Sequence, residues 1–390
     1  MNYATEDGVL TLYMSGRVDS SNADAFGAEI NEALAAAPHS AVVADMEALE
    51  YISSAGLRVI LRLRKDEPTL KLINVSADVY DIFEMTGFTE MLTIEKAYRR
   101  LSVEGCEVIG QGANGKVYRL DPDTIIKVYL NPDSLPDIHR ERELARRAFV
   151  LGIPTAIPYD VVKVGDGYGS VFELLNAKSF AKLIAEEPEN LDHYVELYVD
   201  LLKRIHSTVV KKGDMPAMKE VALGWARFLQ DYLPDDQYQK LYSLVEAVPE
   251  NDHMMHGDYH LKNVMMQNGE VLLIDMDTLC VGDPVFEFAS IFQAYVGFSE
   301  LDHEVTMRFY GLPYETAAQV WQKTLRLYFG TEDEAVLKEK AEKAMVIAYT
   351  RMMRRSIRRN GLETEEGRAF IDNCKNHLAD LLGRVDSLLF

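Results

Sequence analysis

His256-Gly257-Asp258-Tyr259-His260-Leu261-Lys262-Asn263, followed by Ile274-Asp275-Met276-Asp277, is the stretch from which the rest of the chain is read. It gathers acids, imidazoles and an amide into a short span, and a hydrophobic core does not accept such groups unpaired. Transfer of the terminal phosphoryl group of a nucleotide asks for this set. It needs a carboxylate to accept the hydroxyl proton, oxygen ligands for magnesium, and a cation on the phosphates. Asp258 offers the base. Asn263 and Asp275, the latter at the end of the apolar run Val271 to Ile274, offer the metal ligands. Asp277 is a further ligand or a neighbour of the ligands. His256 has no place in the chemistry and is expected to brace the loop through a backbone hydrogen bond.

That reading requires a phosphate-covering loop and a lysine upstream. Gly110-Gln111-Gly112-Ala113-Asn114-Gly115-Lys116-Val117 fits G-x-G-x-x-G-x-V, and Ile125-Ile126-Lys127 follows an Asp-Pro-Asp turn. Glycines let the backbone approach phosphates closely, and Lys127 projects toward them from the second strand. Because the loop runs into a strand and not a helix, a Rossmann dinucleotide site is disfavoured.

Taken together, residues from about Glu104 onward resemble the kinase-like phosphotransferase superfamily, in its aminoglycoside and choline kinase branch. That branch carries H-G-D-x-H-x-x-N, which His256, Asp258, His260 and Asn263 match, where protein kinases usually have a lysine two residues after the aspartate. Asp275-Met276-Asp277 stands in place of D-F-G, no A-P-E segment follows, and Glu287 occupies a position where aspartate is commoner. The resemblance implies a small-molecule hydroxyl as acceptor. It also implies a helix glutamate paired with Lys127, for which Glu141 and Glu143 are the candidates and helical facing favours Glu141. Phe172-Glu173-Leu174-Leu175 resembles the hinge between kinase lobes, so the backbone at Glu173 and Leu175 is expected to meet the purine.

Composition narrows the partners. The 390 residues carry 62 acidic against 41 basic side chains, a net charge of -21, which argues against nucleic acid or an anionic membrane as a general partner. Cys106, Cys280 and Cys374 are isolated and show no metal spacing. No apolar run approaches a membrane span, and the first residues lack a signal peptide's basic start and apolar core. A cytoplasmic location is expected.

Residues 1 to about 100 alternate strand and helix patterns: strands at Val9 to Met14, Ala41 to Met46 and Leu70 to Val75, and helices at Ser21 to Ala36, Ala55 to Lys65 and Val79 to Thr86. Tyr51-Ile52-Ser53-Ser54-Ala55-Gly56 places two hydroxyls before an apolar helix. One reading is helix capping. The other is phosphorylation of Ser54, because a phosphate at a helix N-terminus meets aligned amides and a favourable dipole end. With Gly16-Arg17-Val18-Asp19, this segment resembles the STAS domain of anti-sigma factor antagonists, which bind partner proteins and are switched by serine phosphorylation. Aligned on Gly56, Ser54 takes the phosphoacceptor position, and Ser53 stands where aspartate is common.

In the remainder, His206 is expected as a core or loop-bracing histidine, and Trp225, Phe228, Tyr232, Tyr238 and Tyr242 as helix-packing residues. Arg351, Arg354, Arg355, Arg358 and Arg359 recur on one helix face. In so acidic a chain they are expected to pair with its own carboxylates, an anionic substrate group being the alternative.

The expected fold class is therefore α/β plus α+β. A STAS-like domain spans 1–100, and a bilobal protein-kinase-like domain spans 104–390, with a β-rich N-lobe to about 175 and a mostly helical C-lobe beyond. The expected activity is transfer of the γ-phosphoryl group from ATP (or GTP) with Mg2+ to a small-molecule hydroxyl. The alternative is a partner-switching signalling protein whose kinase fold senses nucleotide or phosphorylates a protein serine, Ser54 included.

Overall fold

The structure, a computed structural model, describes residues 1–112, 115–156 and 158–390. It divides into two compact units, residues 1–102 with 161–166, and residues 103–160 with 167–390.

The first unit is built on a five-stranded sheet. β1 (Asn2–Glu6) runs antiparallel to β2 (Val9–Val18), and β3 (Ala41–Ile52), β4 (Lys71–Val75) and β5 (Thr93–Lys96) continue the sheet in parallel. Parallel neighbours need crossovers. These are supplied by α1 (Ala23–Ala36), α2 (Ser54–Asp66) and α3 (Ala77–Met85). Alternation along β2 buries Leu10, Leu12 and Met14, which pack with Val42, Ala44, Leu72 and Phe83. β2 and β3 both outrun the apolar stretches that marked them, to Val18 and Ile52, because their mutual pairing continues beyond Met14 and Met46. β1 and β5 were not foreseen. All five residues of β1 are exposed, so it carries no apolar alternation to read.

The second unit begins with β6 (Val108–Gln111), β7 (Gly115–Arg119), β8 (Thr124–Tyr129) and β10 (Gly167–Glu173), paired antiparallel in that order, with α4 (Leu135–Val150) following β8 and β9 (Pro158–Val164) crossing the division between the units. Beyond β10 the chain is mostly helical, and its longest helix is Glu334–Arg358. The expected fold class holds: a small α/β unit, then a sheet followed by helices.

The helical core fixes the loop that holds Asp258. Tyr198, Tyr259 and Tyr295 are fully buried. Tyr259 donates its hydroxyl to the Tyr198 carbonyl at 2.6 Å, and Tyr198 donates to the Tyr259 carbonyl at 3.1 Å. The Leu261 amide donates to the Tyr295 hydroxyl at 2.9 Å. A buried amide without a partner is costly, so these phenols determine the loop's path as well as its packing. Trp225 is in the same core, with Phe228, Tyr232, Tyr238 and Tyr242 packed against it. Among the described residues no helix is long and apolar enough to cross a membrane.

Tyr295→Phe keeps the ring and removes the acceptor of the Leu261 amide. It is expected to destabilise the second unit by about 1–3 kcal/mol, read as a lowered denaturant midpoint.

Candidate active site

Three separate parts of the sequence meet at Lys127. From the middle of β8 its ammonium reaches the Glu141 carboxylate on α4, at 2.9 and 3.1 Å from the two oxygens, and Asp275 Oδ1 at 3.0 Å. Glu143, the other helix candidate, pairs instead with Arg147 at 2.8 Å. The Tyr129 hydroxyl donates to Glu141 Oε2 at 2.5 Å. Sequence reading passed over Tyr129, although a residue two beyond Lys127 on a strand lies on the same face. Burial opposes the charge on Lys127, but Asp275 and Glu141 outweigh it and hold its pKa above the ordinary lysine value. Burial likewise pushes Asp275 up, and the Lys127 ammonium outweighs it and holds the carboxyl below its ordinary range.

Asp275 follows the strand Glu270–Leu273 in a left-handed backbone conformation, φ 64° and ψ 69°. Such a conformation is uncommon for a residue with a side chain and costs about 1–3 kcal/mol; here the contact with Lys127 helps hold it. Asp277 lies two residues on, and burial together with the Asp275 charge pushes its carboxyl up to about 6.

The Asp258 loop is joined to this cluster through Asn263. The Asn263 side-chain amide donates to the Asp258 carbonyl at 3.0 Å, and the Ile274 amide donates to the Asn263 carbonyl at 2.9 Å. Neither bond uses the side-chain oxygen of Asn263. Asp258 itself keeps 45% of its side chain exposed, enough for an acceptor to reach it. Gly257 adopts φ 79°, and a Cβ there would stand 2.6 Å from the Thr278 carbonyl, so only glycine fits the turn before the acid.

His256 is buried and braces the loop. Its Nε2 meets the Ile274 carbonyl at 3.1 Å, and its Nδ1 accepts from the Asp258 amide at 3.3 Å, which specifies the neutral ring with the proton on Nε2. His260 Nε2 stands 3.6 Å from Asp258 Oδ2. Burial lowers the pKa of His260, against a smaller opposing effect of Asp258.

Beneath this loop lies Glu287, fully buried, whose two oxygens accept the backbone amides of His256 at 2.6 Å and Gly257 at 2.9 Å. His206, from another helix, stands 3.6 Å from the same carboxylate and meets the Tyr328 hydroxyl at 2.7 Å, the bracing role expected of it. Burial raises Glu287, and His206 with the loop's donors outweighs it and leaves the carboxyl below its ordinary value.

Of the glycine loop, Ala113 and Asn114 lie outside the described residues. Gly115 is fixed by the sheet, because a Cβ there would collide with the Val128 carbonyl, and Val117 pairs with Lys127 in register. Gly110 is packed on Val117. Among the described residues a Cβ on Gly112 would meet nothing within 4 Å. Glu173 ends β10, and Leu175 lies two residues beyond, after Leu174 has donated its amide to the Asp123 carbonyl at 2.7 Å.

In the first unit, the two serines before α2 have different tasks. Ser53 is the cap, its side chain accepting from the Gly56 amide at 3.4 Å, and Ser54 is exposed at the first helical position.

The arginine stripe differs from expectation. Among the described residues none of Arg351, Arg354, Arg355, Arg358 and Arg359 has a carboxylate within 4.0 Å. Arg351 donates instead to the Gly257 carbonyl at 3.1 Å and lies over Trp225, 5.3 Å from the ring centre. Arg354 and Arg355 lie over Phe228 and Phe298. Aromatic faces offset part of the desolvation of these cations where acids were expected to.

Residues 105–321 match the family model described as the phosphotransferase enzyme family, and residues 1–101 match the STAS domain model. The N-terminal part is 37% identical over 92 residues to a putative anti-sigma factor antagonist, BtrV, of Bordetella bronchiseptica, covering 23% of this chain and 78% of that protein. Among solved structures, the chain is similar to a thermostable mutant of aminoglycoside phosphotransferase APH(4)-Ia, at 14% identity, TM-score 0.49, over 72% of this chain and 97% of that one. A choline/ethanolamine kinase family protein from Mesorhizobium loti matches at 14% identity, TM-score 0.45, over 71% and 87%.

Glu287 was noted in the sequence only as a departure at an aspartate position, and no spacing rule marks it as the carboxylate under the loop. Because its folded pKa is depressed, the stability it gives is complete above the ordinary glutamate value of 4.5 and is lost as pH falls through the folded value. Glu287→Gln is therefore expected to flatten the acid limb of a stability-against-pH curve below about pH 4.5. Glu287→Ala, which orphans two buried amides, is expected to cost about 3 kcal/mol or more.

Proposed function

Because this chain belongs to the phosphotransferase enzyme family and carries a STAS domain, we propose that it moves the γ-phosphoryl group of ATP, or of GTP, to a hydroxyl of a small molecule. The observation that carries this reading is the convergence of Lys127, Glu141 and Asp275 with the loop of Asp258 and Asn263 joined to them by hydrogen bonds.

In this reading Asp258 takes the proton of the acceptor hydroxyl as its oxygen bonds to the γ-phosphorus and the bond to the β–γ bridging oxygen breaks. Lys127, oriented by Glu141, holds the phosphates. The backbone of Gly110, Gly112 and Gly115 covers them. Val117 and the backbone at Glu173 and Leu175 receive the base. The side-chain oxygen of Asn263 and the carboxylate of Asp275 form a donor set of the size magnesium uses, one or two protein oxygens besides the phosphates. When bound there, the ion neutralises phosphate charge. Asp277 adds charge beside Asp275, and His256 and His260 support the loop. We assign the reaction to the cytoplasm, where the nucleotide is found and thiols such as Cys106, Cys280 and Cys374 stay reduced.

The STAS domain supports a protein partner. Ser54 favours a switch at that surface, since it is exposed while Ser53 caps the helix. Incubation with magnesium and ATP followed by intact-mass measurement tests whether this chain modifies itself. An adduct absent from both Ser54→Ala and Asp258→Asn would support the partner-switching reading, in which a protein serine is the acceptor.

Asp258→Asn is expected to lower acceptor-dependent nucleotide turnover by about 10²–10⁴ while nucleotide binding, followed by calorimetry, is retained. Unchanged turnover would remove Asp258 from the role of base.

A further inference from the structure

The helix Glu334–Arg358 and the residue that caps it, Arg359, carry a group of cations that meet no carboxylate within 4.0 Å among the described residues. Elsewhere in this region arginines have carboxylates: Arg308 with Asp302 at 2.5 Å, Arg326 with Glu334 at 2.6 Å, Arg384 with Glu342 at 3.1 Å. In a chain with 62 acidic residues, five neighbouring arginines without one are not explained by a shortage of partners.

Part of the stripe faces an open cavity of about 290 Å³, lined by Arg355, Ser356, Arg359 and Thr364 and walled by the stacked rings of Phe298 and Phe370, 6.1 Å apart and 13° from parallel. The Arg355 guanidinium lies 5.2 Å from the centre of the Phe298 ring, which orients it at the cavity wall. Two guanidinium forks and two hydroxyls supply many donors in one concavity, the complement of a tetrahedral oxyanion. Glu363, Glu365 and Glu366 are exposed nearby, yet none lines the cavity.

The cavity is also tied to the Asp258 loop. Arg351, one turn before Arg355, donates to the carbonyl of Gly257, the residue preceding Asp258. Arg355 thus stands one helical turn, about 5–6 Å along the axis, from the residue that touches the loop. The Asp258 charge acts on Arg355, though burial and the neighbouring arginines outweigh it and lower that guanidinium's pKa. A plain solvated stripe is the competing account: cations at the C-terminal end of a helix are favoured by its dipole. That account explains the helix position of Arg355 and Arg358 but not a concave wall of donors connected to the Asp258 loop.

We propose that the acceptor already carries a phosphate group, which docks on Arg355 and Arg359 while its hydroxyl is presented to Asp258. The inference rests on the phosphotransferase reading above and specifies its substrate class: a phosphorylated alcohol such as a sugar or polyol phosphate.

Two measurements on the full chain test it separately from that reading. In the first, inorganic phosphate is titrated calorimetrically into protein saturated with ADP and magnesium. Its dissociation constant is expected to rise at least tenfold in Arg355→Gln/Arg359→Gln and to recover in part in Arg355→Lys/Arg359→Lys. Arg358→Gln, on the same helix but outside the cavity, is the control and is expected to match the wild type. ADP affinity and the melting temperature report that each variant is folded. In the second, turnover is compared on matched pairs of neutral, carboxylated and phosphorylated alcohols. The phosphorylated member is expected to have at least tenfold higher kcat/KM, with the preference lost through KM in the double glutamine variant. Phosphate binding that is absent, or equal in the wild type and that variant, overturns the proposal whether or not turnover is seen. Turnover with neutral, cationic or carboxylated acceptors preferred overturns it too and leaves the phosphotransferase reading standing. Phosphate binding lost in the double variant, with no turnover on any acceptor, keeps the anion site and defeats the enzymatic reading instead.

Discussion

A single ammonium group draws together three distant parts of this protein's second unit. Lys127 is largely withdrawn from water and so cannot remain charged without partners. It finds them on α4 and on Asp275, two residues beyond the strand Glu270–Leu273, which are far apart in sequence. Each carboxylate is in turn held by something else, Glu141 by the Tyr129 hydroxyl and Asp275 by its left-handed backbone. Truncating any one of them leaves a partly buried charge uncompensated, a larger loss than the pair contributes while intact. The position of α4 against the sheet is thus an electrostatic matter as well as a packing one.

The same logic recurs one layer deeper. Glu287, with His206 3.6 Å away, holds two backbone amides under the Asp258 loop, and the tyrosines Tyr198, Tyr259 and Tyr295 fix its far end. The loop is therefore defined largely by bonds to its main chain.

How far the sequence could be read depended on how local each determinant is. The loop around Asp258, the glycine loop and Lys127 are legible because they are contiguous motifs, and the kinase resemblance implied a helix glutamate for Lys127, with helical facing choosing Glu141 over Glu143. The two long strands of the first unit announced themselves by buried alternation, while β1, exposed along its length, offered no pattern. Glu287 and Tyr295 act on backbone groups 31 and 34 positions away in the chain, and no periodicity links them to their targets. The arginines were read correctly as one face of a helix, but their partners were not. Whether a cation meets an acid, a ring or a cavity is decided by the neighbouring helices and not by its own.

The two serines before α2 have a consequence for how this chain can vary. Ser53 caps the helix, and losing a cap of that kind costs about 1 kcal/mol, so selection for folding acts on it whatever the protein does. Ser54, exposed and outside that bond, is invisible to folding. Drift at position 54 is thus limited only by what meets that surface, and a serine kept there across diverging copies of this chain would be the record of a partner.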